Sequence, residues 1–368
     1  MSSESEIRQF LEATGEHLTA VLLEYESLMP MSLITIGKLA LSAPGKVLRP
    51  VSASAQGDSG LPLPLPRWPL YVIEAFRAGP AQREDWREAL PGAAAVEIAM
   101  AAADLLDELA DDDPSPILER YGPGQALNTA NLMLVMAQQV LLKAATSTGN
   151  DRYLTALAAL QEMLVEAAVG QHLDMLYDGM AWDEVTLEMS ADVTAKKAGA
   201  LIAGAWRVGA LLSGADEAIV DLLTRLGREI GGIAQLSNDV QDVLPLDISA
   251  EDGTPVPDDS QPERKTDLRL RKRTMPIVFT LRDEADEPNP VQRAFQDPGD
   301  VASADEETLR RAVVAAGGVQ FAQLVMEVHG QNIVQLLAEL EELRPGAGAA
   351  LEYLVPGRAG DGTDRVGE

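Results

Sequence analysis

Two acidic clusters within otherwise apolar helical segments are the residues of this chain best suited to chemistry. They comprise Asp107, Glu108 and Asp111 in the first cluster, and Asn238, Asp239 and Asp242 in the second. In each cluster the oxygen-bearing side chains recur at positions i, i+1 and i+4, which share one face of a helical turn. Like charges at i,i+4 cost an isolated helix about 0.2–0.5 kcal/mol per pair, so both clusters predict a bound positive charge. Hard divalent cations such as Mg²⁺ prefer such oxygen ligands and also bind phosphates.

Basic residues stand where a metal-bound diphosphate would need them. Lys46 and Arg49 lie in an early Gly- and Pro-containing loop, and Lys196 and Lys197 interrupt an apolar helical segment. A further run follows the second acidic cluster and contains Arg264, Lys265, Arg269, Arg271, Lys272 and Arg273. In a chain of net charge −29 this local excess of cations indicates phosphate binding.

A metal-bound diphosphate is a good leaving group, because the metal neutralises the charge that develops on it. If the leaving diphosphate is allylic, the carbocation that remains needs a dry, apolar pocket. Candidate lining residues precede the first cluster by one to two helical turns, and they are Ala99, Met100, Ala103 and Leu106. Residues of these types on a helix are also ordinary core residues.

Composition excludes several other classes of protein. The chain of 368 residues has no Cys, which rules out disulfides and thiolate chemistry and is typical of a cytoplasmic protein. The negative charge makes nucleic acid and anionic membrane surfaces unfavourable partners. The acidic amino terminus is unlike a signal peptide, and no run of 18 apolar residues occurs, so we expect no membrane span.

The periodicity of apolar residues predicts a mainly helical chain, with hydrophobic residues at 46% and aromatic residues at only 4%. Helices are predicted over 4–28, 31–41, 92–112, 123–146, 151–178, 183–213, 216–244, 272–283, 306–316 and 319–342. A Pro-rich segment at 57–69 and an acidic segment at 245–264 are predicted loops, the second of them mobile. Residues 1–355 are expected to form one unit, followed by a disordered tail at 356–368.

Six motifs, in order, resemble those of the trans-prenyltransferase (polyprenyl synthetase) family. Residues 45–50 resemble G-K-x-L-R-P, residues 97–111 the E-L-x-H…D-D-x-x-D helix, residues 170–174 G-Q-x-L-D, residues 196–198 K-T-A, residues 232–242 G-x-x-F-Q-x-x-D-D-x-x-D, and residues 267–276 D-L-x-x-G-K-x-T-L-P. The resemblance implies an all-α, isoprenoid synthase-type helical bundle around a deep central cavity. It also implies a homodimer and three Mg²⁺ ions that bind a prenyl diphosphate.

The resemblance also implies roles for individual residues. The metal would be held by Asp107, Glu108, Asp111, Asn238, Asp239 and Asp242, with Gln171 in the pocket. The allylic diphosphate would be bound by Lys196, Gln235, Lys272 and either Arg264 or Lys265. Lys46 and Arg49 would contact isopentenyl diphosphate. The residues expected to be catalytic are Asp107, Asp111, Lys196, Gln235 and Asp239.

Departures from the family pattern fall on the isopentenyl diphosphate site. Met100 stands where the family has a His or Gln, and no Arg follows the first cluster before Arg120. We therefore expect transfer of a prenyl group to another acceptor, for example a peptide Trp side chain. Two alternatives stay open: a terpene cyclase, which needs only one diphosphate, and a silent partner subunit, which usually lacks the acidic motifs retained here. Leu246 occupies the position of a Glu in the usual bacterial cyclase metal motif, which counts against a standard cyclase.

Overall fold

A computed structural model describes residues 3–26, 68–80, 85–111, 115–245, 266–284, 287–296 and 305–354. Within these ranges the chain forms helices and no β-strand, which confirms the predicted all-α class. Lys46, Arg49, Arg264 and Lys265 lie outside the described residues, as do 31–41, 356–368 and nearly all of both predicted loops. The predictions made for these residues and segments therefore stay predictions.

Eight helices lie within the described residues up to 245. They are α1 (Ser3–Glu26), α2 (Pro69–Ala78), α3 (Leu90–Ala110), α4 (Pro116–Thr148), α5 (Arg152–Asp178), α6 (Leu187–Thr194), α7 (Ala200–Ser213) and α8 (Glu217–Val243). A short π-helical segment, Ala195–Gly199, joins α6 to α7, and a 3₁₀ turn, Trp86–Ala89, leads into α3. Pro or a hydrogen-bonding cap starts several of these helices; Ser115, for example, accepts from the Leu118 amide at 3.2 Å.

From residue 266 onward, the described part of the chain contains several short helices and one long one. They are α9 (Asp267–Leu270), α10 (Met275–Leu281), α11 (Pro290–Gln296), α12 (Glu306–Ala315), α13 (Gly318–Leu343) and α14 (Ala347–Ala350), followed by a 3₁₀ turn at Glu352–Leu354. The long helix α13 packs against α8, and α10 packs against the first half of α13.

The long helices begin and end close to the predicted bounds, and the differences have local causes. Helix α4 begins at Pro116 instead of 123 and breaks at Gly122 (φ 77°, ψ 162°), where Pro123 cannot donate a backbone hydrogen bond. The predicted helix 183–213 is divided by the π segment. Helices α2 and α11 were not predicted, because each is short and begins with a Pro that resembles a loop signal.

Among the described residues, two buried apolar clusters meet along α8. The larger cluster includes residues of α1 to α5 and α7, with the fully buried Trp206 ring 6.2 Å from Tyr71. The smaller cluster joins the last turns of α8 to α9 through α13, around residues such as Leu236 and Phe295. Helix α8 therefore carries the second acidic cluster where both cores fix its position.

Two helices of the described part are long and apolar enough, by length and composition alone, to cross a membrane. They are Trp86–Ala110, whose most apolar window is 72% buried, and Arg152–Asp178, whose window is 33% buried; the bent pair Glu306–Ala315 and Gly318–Leu343 gives a third if counted as one span. The expectation of no membrane span rested on the absence of an uninterrupted apolar run, whereas these helices are apolar on average although they contain charged residues. Trp86–Ala110 is mostly buried within the helical bundle.

Close helix crossings depend on glycine. An ideal Cβ at Gly209 of α7 would lie 2.2 Å from the Val72 carbonyl oxygen of α2, so any side chain there would force the helices apart. At Gly124 of α4 a Cβ would meet nothing within 4 Å.

We therefore expect Gly209→Ala to destabilise the fold by about 1–3 kcal/mol, the usual cost of overpacking a tight core. Gly124→Ala is the matched control and should stabilise the protein by about 0.5–1 kcal/mol, because alanine loses less conformational entropy in a helix. Thermal unfolding followed by circular dichroism measures both changes. Equal melting temperatures for wild type and Gly209→Ala would contradict the close α2–α7 contact.

Candidate active site

The first acidic cluster occupies the carboxyl end of α3. Asp111 caps this helix, with its amide donating to the Asp107 carbonyl at 2.9 Å. Carboxylates at a helix carboxyl terminus are unfavourable, because the helix dipole is negative there. Each of these two carboxylates is compensated by a lysine from elsewhere in the chain. Lys197 donates to Asp107 Oδ1 at 2.8 Å and Lys272 donates to Asp111 Oδ1 at 2.6 Å.

A third acidic pair comes from the last turns of α5 and was not among the predicted site residues. Asp174 accepts from Lys197 at 3.0 Å and lies 3.7 Å from Lys272. Asp178 lies 3.1 Å from Lys272 and accepts the backbone amide of Arg273 at 3.1 Å. The sequence marks these two residues only as an i,i+4 pair of acids at the end of a predicted helix. Of the two, Asp174 alone belongs to a motif that resembles the family, G-Q-x-L-D.

The π segment determines which of two adjacent lysines enters this site. Lys196 points away from it and pairs with Asp192 of α6 at 2.5 Å, where both side chains are partly exposed. Lys197 is the residue that reaches Asp107 and Asp174. A π turn accommodates an extra residue relative to an α turn, so it rotates the following positions about the helix axis. The sequence resemblance selected Lys196, and the structure instead brings Lys197 to the acidic clusters.

Glycine also permits the approach of α5 to the π segment. A Cβ at Gly170 would lie 2.5 Å from the Lys197 backbone nitrogen. Gly231 of α8 approaches the other side, where its Cβ would be 2.7 Å from the Gly199 Cα. The backbone that carries Lys197 is therefore held between α5 and α8.

The second acidic cluster approaches Lys197 from α8. Asp239 is buried, with 3% exposure, and accepts from the Gln235 amide at 2.9 Å. Burial, together with the nearby Asp174 and Asp242, raises the pKa of Asp239 to about 7, although the Gln235 hydrogen bond and Lys197 oppose the shift. Burial also raises the pKa of Asp267, and the negative charges of Asp242 and Asp239 act in the same direction. The two predicted clusters thus share Asp174 and Lys197 as neighbours.

The whole site carries more negative than positive charge among the described residues. Burial raises the pKa of Asp178 to about 6 and that of Asp111 in the same direction, although Lys272 acts against both shifts. Burial disfavours the charged form of Lys197 and Lys272, but the surrounding carboxylates outweigh it and raise the pKa of both. The lysines therefore stay protonated, and the carboxylates compete for insufficient positive charge.

Carboxylate donors in excess of their cations fit a hard divalent ion such as Mg²⁺. In the described part of the chain, no three acidic or histidine side chains already converge on one point for a metal. Two of the spaces between carboxylates hold the ammonium groups of Lys197 and Lys272 instead. The carboxylate oxygens are suitable ligands for Mg²⁺. To coordinate the ion, they would have to exchange their contacts with Lys197 and Lys272 for contacts with the metal. Glu108, Asn238 and Asp242 are half-buried on the same helical turns.

The predicted pocket residues lie on α3 and α5. Ala99 and Met100 are fully buried, whereas Ala103 and Leu106 are half-buried nearer the acidic cluster. Gln171 is half-buried, and its buried side-chain nitrogen has no hydrogen-bond partner among the residues that the structure describes. Met100, at the position of the family's anion-binding side chain, is thus enclosed by apolar core.

Three comparisons relate this chain to known proteins. It is 31% identical to the (2E,6E)-farnesyl diphosphate synthase of Mycobacterium tuberculosis over 212 residues, which is 56% of this chain and 54% of that protein. The chain thus spans about half the length of that relative. It is 27% identical to the geranylgeranyl diphosphate synthase of the same organism over 269 residues, or 72% of this chain and 73% of that protein.

The fold is shared with solved structures. A geranylgeranyl pyrophosphate synthase from Corynebacterium glutamicum, complexed with isoprenyl diphosphate and magnesium, superposes with a TM-score of 0.68 at 20% identity. The match covers 94% of this chain and 97% of that one. The family model described as polyprenyl synthetase matches residues 33–312, which include the carboxylates and lysines of the site. The chain therefore belongs to the polyprenyl synthetase family.

Proposed function

We propose that this protein is a Mg²⁺-dependent prenyltransferase that ionises an allylic isoprenyl diphosphate and transfers the prenyl group to an acceptor. The observation that carries the proposal is the contact of Lys197 with both Asp107 and Asp174, next to Asp239. This contact brings the two acidic motifs to one place, as a shared diphosphate requires. Family membership and the two synthase relatives support the same reaction class.

Each group of the site has a task in this reaction. Lys197 and Lys272 are protonated donors at the acidic clusters, and they would transfer their hydrogen bonds from carboxylates to diphosphate oxygens. Mg²⁺, when held by the carboxylates, would neutralise the charge that develops on the departing diphosphate. Gln235 orients Asp239 by its hydrogen bond, and Ala103 and Leu106 would keep water from the carbocation.

The acceptor is proposed to be something other than isopentenyl diphosphate. A second diphosphate needs charged or hydrogen-bonding partners, and the fully buried Met100 has neither a charge nor a donor at the position where the family has His or Gln. A peptide or another electron-rich side chain would need no such site. The same observation favours the second candidate, a cyclase in which the substrate's own double bond attacks the cation.

The deciding experiment incubates the protein with Mg²⁺ and C10, C15 or C20 allylic diphosphates, with and without isopentenyl diphosphate. We expect diphosphate release that disappears with EDTA, and no elongated diphosphate when isopentenyl diphosphate is added. Asp107→Asn and Asp239→Asn should each reduce the rate by at least about 100-fold, because electrostatic stabilisation of the leaving group is lost. Asp192→Asn, a partly exposed acid outside the cluster, is the matched control.

The products separate the candidates. A hydrocarbon or alcohol formed without an acceptor indicates cyclisation, and release that depends on an added Trp-containing peptide supports transfer to a peptide. A longer prenyl diphosphate would refute the loss of the isopentenyl site. No turnover of any substrate would leave the silent subunit as the better account.

A second prediction uses the adjacent lysines as a matched pair. Lys197→Gln should weaken the binding of the allylic diphosphate by about 10–100-fold, since hydrogen bonds to charged groups contribute about 1.5–3 kcal/mol. Lys196→Gln should stay within about twofold of wild type, because its contact with Asp192 is a partly exposed ion pair. Isothermal titration with a non-hydrolysable prenyl diphosphate analogue measures both. If Lys196→Gln weakened binding more than Lys197→Gln, Lys196 would be the lysine that binds the diphosphate.

We also propose that two copies associate through α4 and α5. Exposed apolar side chains recur along each helix at helical spacing: Leu127, Val135 and Leu142 on α4, and Leu154, Val165, Val169 and Leu176 on α5. Only 33% of the most apolar window of α5 is buried within one copy. A second copy that presents the same stripes would remove this surface from water.

Val165→Asp is therefore expected to shift the protein from dimer to monomer in multi-angle light scattering, because it places a charge within the proposed contact. Leu324→Asp on α13 is the control, since Leu324 is similarly exposed (58%, against 66% for Val165) but lies outside the stripes. A monomeric wild type, or equal dissociation by both variants, would refute this interface.

A further inference from the structure

Arg271 adopts a backbone conformation that side chains disfavour. Its φ of 56° and ψ of 37° place it in the left-handed region, and no other non-glycine residue of the described ranges has a positive φ. Glycine would occupy this conformation without the contact between Cβ and backbone that an arginine introduces. The presence of a long side chain here calls for a compensating interaction.

The conformation has a clear local effect, which is to aim Lys272 into the acidic site. The Lys272 amide donates to the Asp267 carbonyl at 2.8 Å and the Arg271 amide donates to that of Leu268 at 3.3 Å, which ends α9 in a Schellman motif. The chain reverses at Arg271, and Lys272 then extends to Asp111 at 2.6 Å and Asp178 at 3.1 Å. Its side chain is only 8% exposed.

The compensating interaction is a stack of arginines on Phe295 at the end of α11. The Arg271 guanidinium lies 5.5 Å from the centre of this buried ring, and its Nη2 donates to the Phe295 carbonyl oxygen. Arg273 lies 5.0 Å from the same ring centre and donates to the carbonyl oxygens of Arg271 and Met180. The residues on both sides of Lys272 are thus anchored to one aromatic ring.

We propose that Arg271 is a positioning residue, whose contact with Phe295 holds the left-handed turn that directs Lys272 at the carboxylates. Arg271 itself makes no contact with the acidic clusters among the described contacts. It acts through Lys272, and it connects the packing of α11 to the charge of the site. The role of Arg271 in placing Lys272 does not depend on the reaction that the protein catalyses. The consequence for diphosphate binding rests on the proposed function.

Substitutions at residue 271 separate the anchor from the backbone strain. Arg271→Gly removes both, Arg271→Ala removes the anchor and keeps the disfavoured backbone, and Arg271→Lys keeps the charge. Phe295→Leu removes the ring from the other side. Arg293→Ala is the control, because Arg293 is exposed on the same helix α11 and donates only to the Pro288 carbonyl in the described contacts.

The first readout is the rate at which an amine-reactive acetylating reagent modifies Lys272 in the full-length protein, followed by chymotryptic peptide mass spectrometry. Exposed Lys143 serves as the internal reference. We expect acetylation of Lys272 to rise by about fivefold or more in Arg271→Ala, Arg271→Gly and Phe295→Leu, because the turn opens more often without its anchor. Arg271→Lys should lie between these variants and wild type.

The second readout is the split between KM and kcat for the allylic diphosphate with Mg²⁺. We expect KM to rise by about tenfold in Arg271→Gly and Phe295→Leu, with a smaller change in kcat, and the double variant to be no worse than either single one. Arg271→Lys should recover part of the loss, and Arg293→Ala should match wild type in both readouts.

If Arg271→Gly and Phe295→Leu match wild type in acetylation, the proposal is overturned, because glycine then suffices to place Lys272. If acetylation of Lys272 rises in these variants but the wild-type protein turns over no allylic diphosphate, the positioning role is supported and only the proposed function is refuted. Increased acetylation with unchanged KM in an active enzyme would refute the link between this turn and diphosphate binding.

Discussion

The arrangement of this protein depends on two ammonium groups inserted among crowded carboxylates. Lys197 lies between Asp107 and Asp174, and Lys272 reaches Asp111 and Asp178. Without them, partly buried like charges would repel one another across the centre of the bundle, and the neutral, protonated form of these carboxyl groups would be favoured. Helices α3, α5 and α8, the π segment and the turn at Arg271 are therefore constrained together, because each contributes one of the charges.

The carboxylates that the two lysines do not fully neutralise also bear on the function of the site. Asp239 is almost fully buried, and its pKa rises to about 7 because burial and its acidic neighbours outweigh the Gln235 hydrogen bond. A group that served stability alone would be replaced at little loss by an amide or an apolar residue. Carboxylates that remain under-neutralised at the centre of a fold are better explained by a positively charged ligand, and this supports the proposed Mg²⁺ and diphosphate chemistry.

The sequence predicted the helices well because their cause is local, whereas the site depends partly on non-local geometry. Asp107 and Asp239 could be selected because clustered acids stand out within apolar helices, and the structure places Lys197 near both. Lys197 could not be separated from Lys196, because the π turn follows from packing against Gly170 and Gly231 and leaves no mark in the apolar periodicity. Asp178 was missed since an acid at a helix end usually indicates only solvent exposure. The loop cations at 46, 49, 264 and 265 lie beyond the described residues and stay predictions.

Backbone strain at Arg271 and close packing at Gly170 are two ways of holding a lysine in the acidic site. A lysine must be held within reach of several carboxylates, yet its flexible side chain loses about 1.5–2 kcal/mol of conformational entropy when fixed. At Lys197 the backbone is held rigid by a crossing that admits only glycine, at no cost in strain. Next to Lys272, Arg271 enters the left-handed region, at a cost of roughly 1–2 kcal/mol for a non-glycine residue. The contacts of Arg271 and Arg273 with Phe295 offset this cost. Because the second solution depends on side-chain contacts outside the acidic cluster, changes in α11 can reach the site through Lys272. They can reach Lys197 only through Asp174, which both lysines approach.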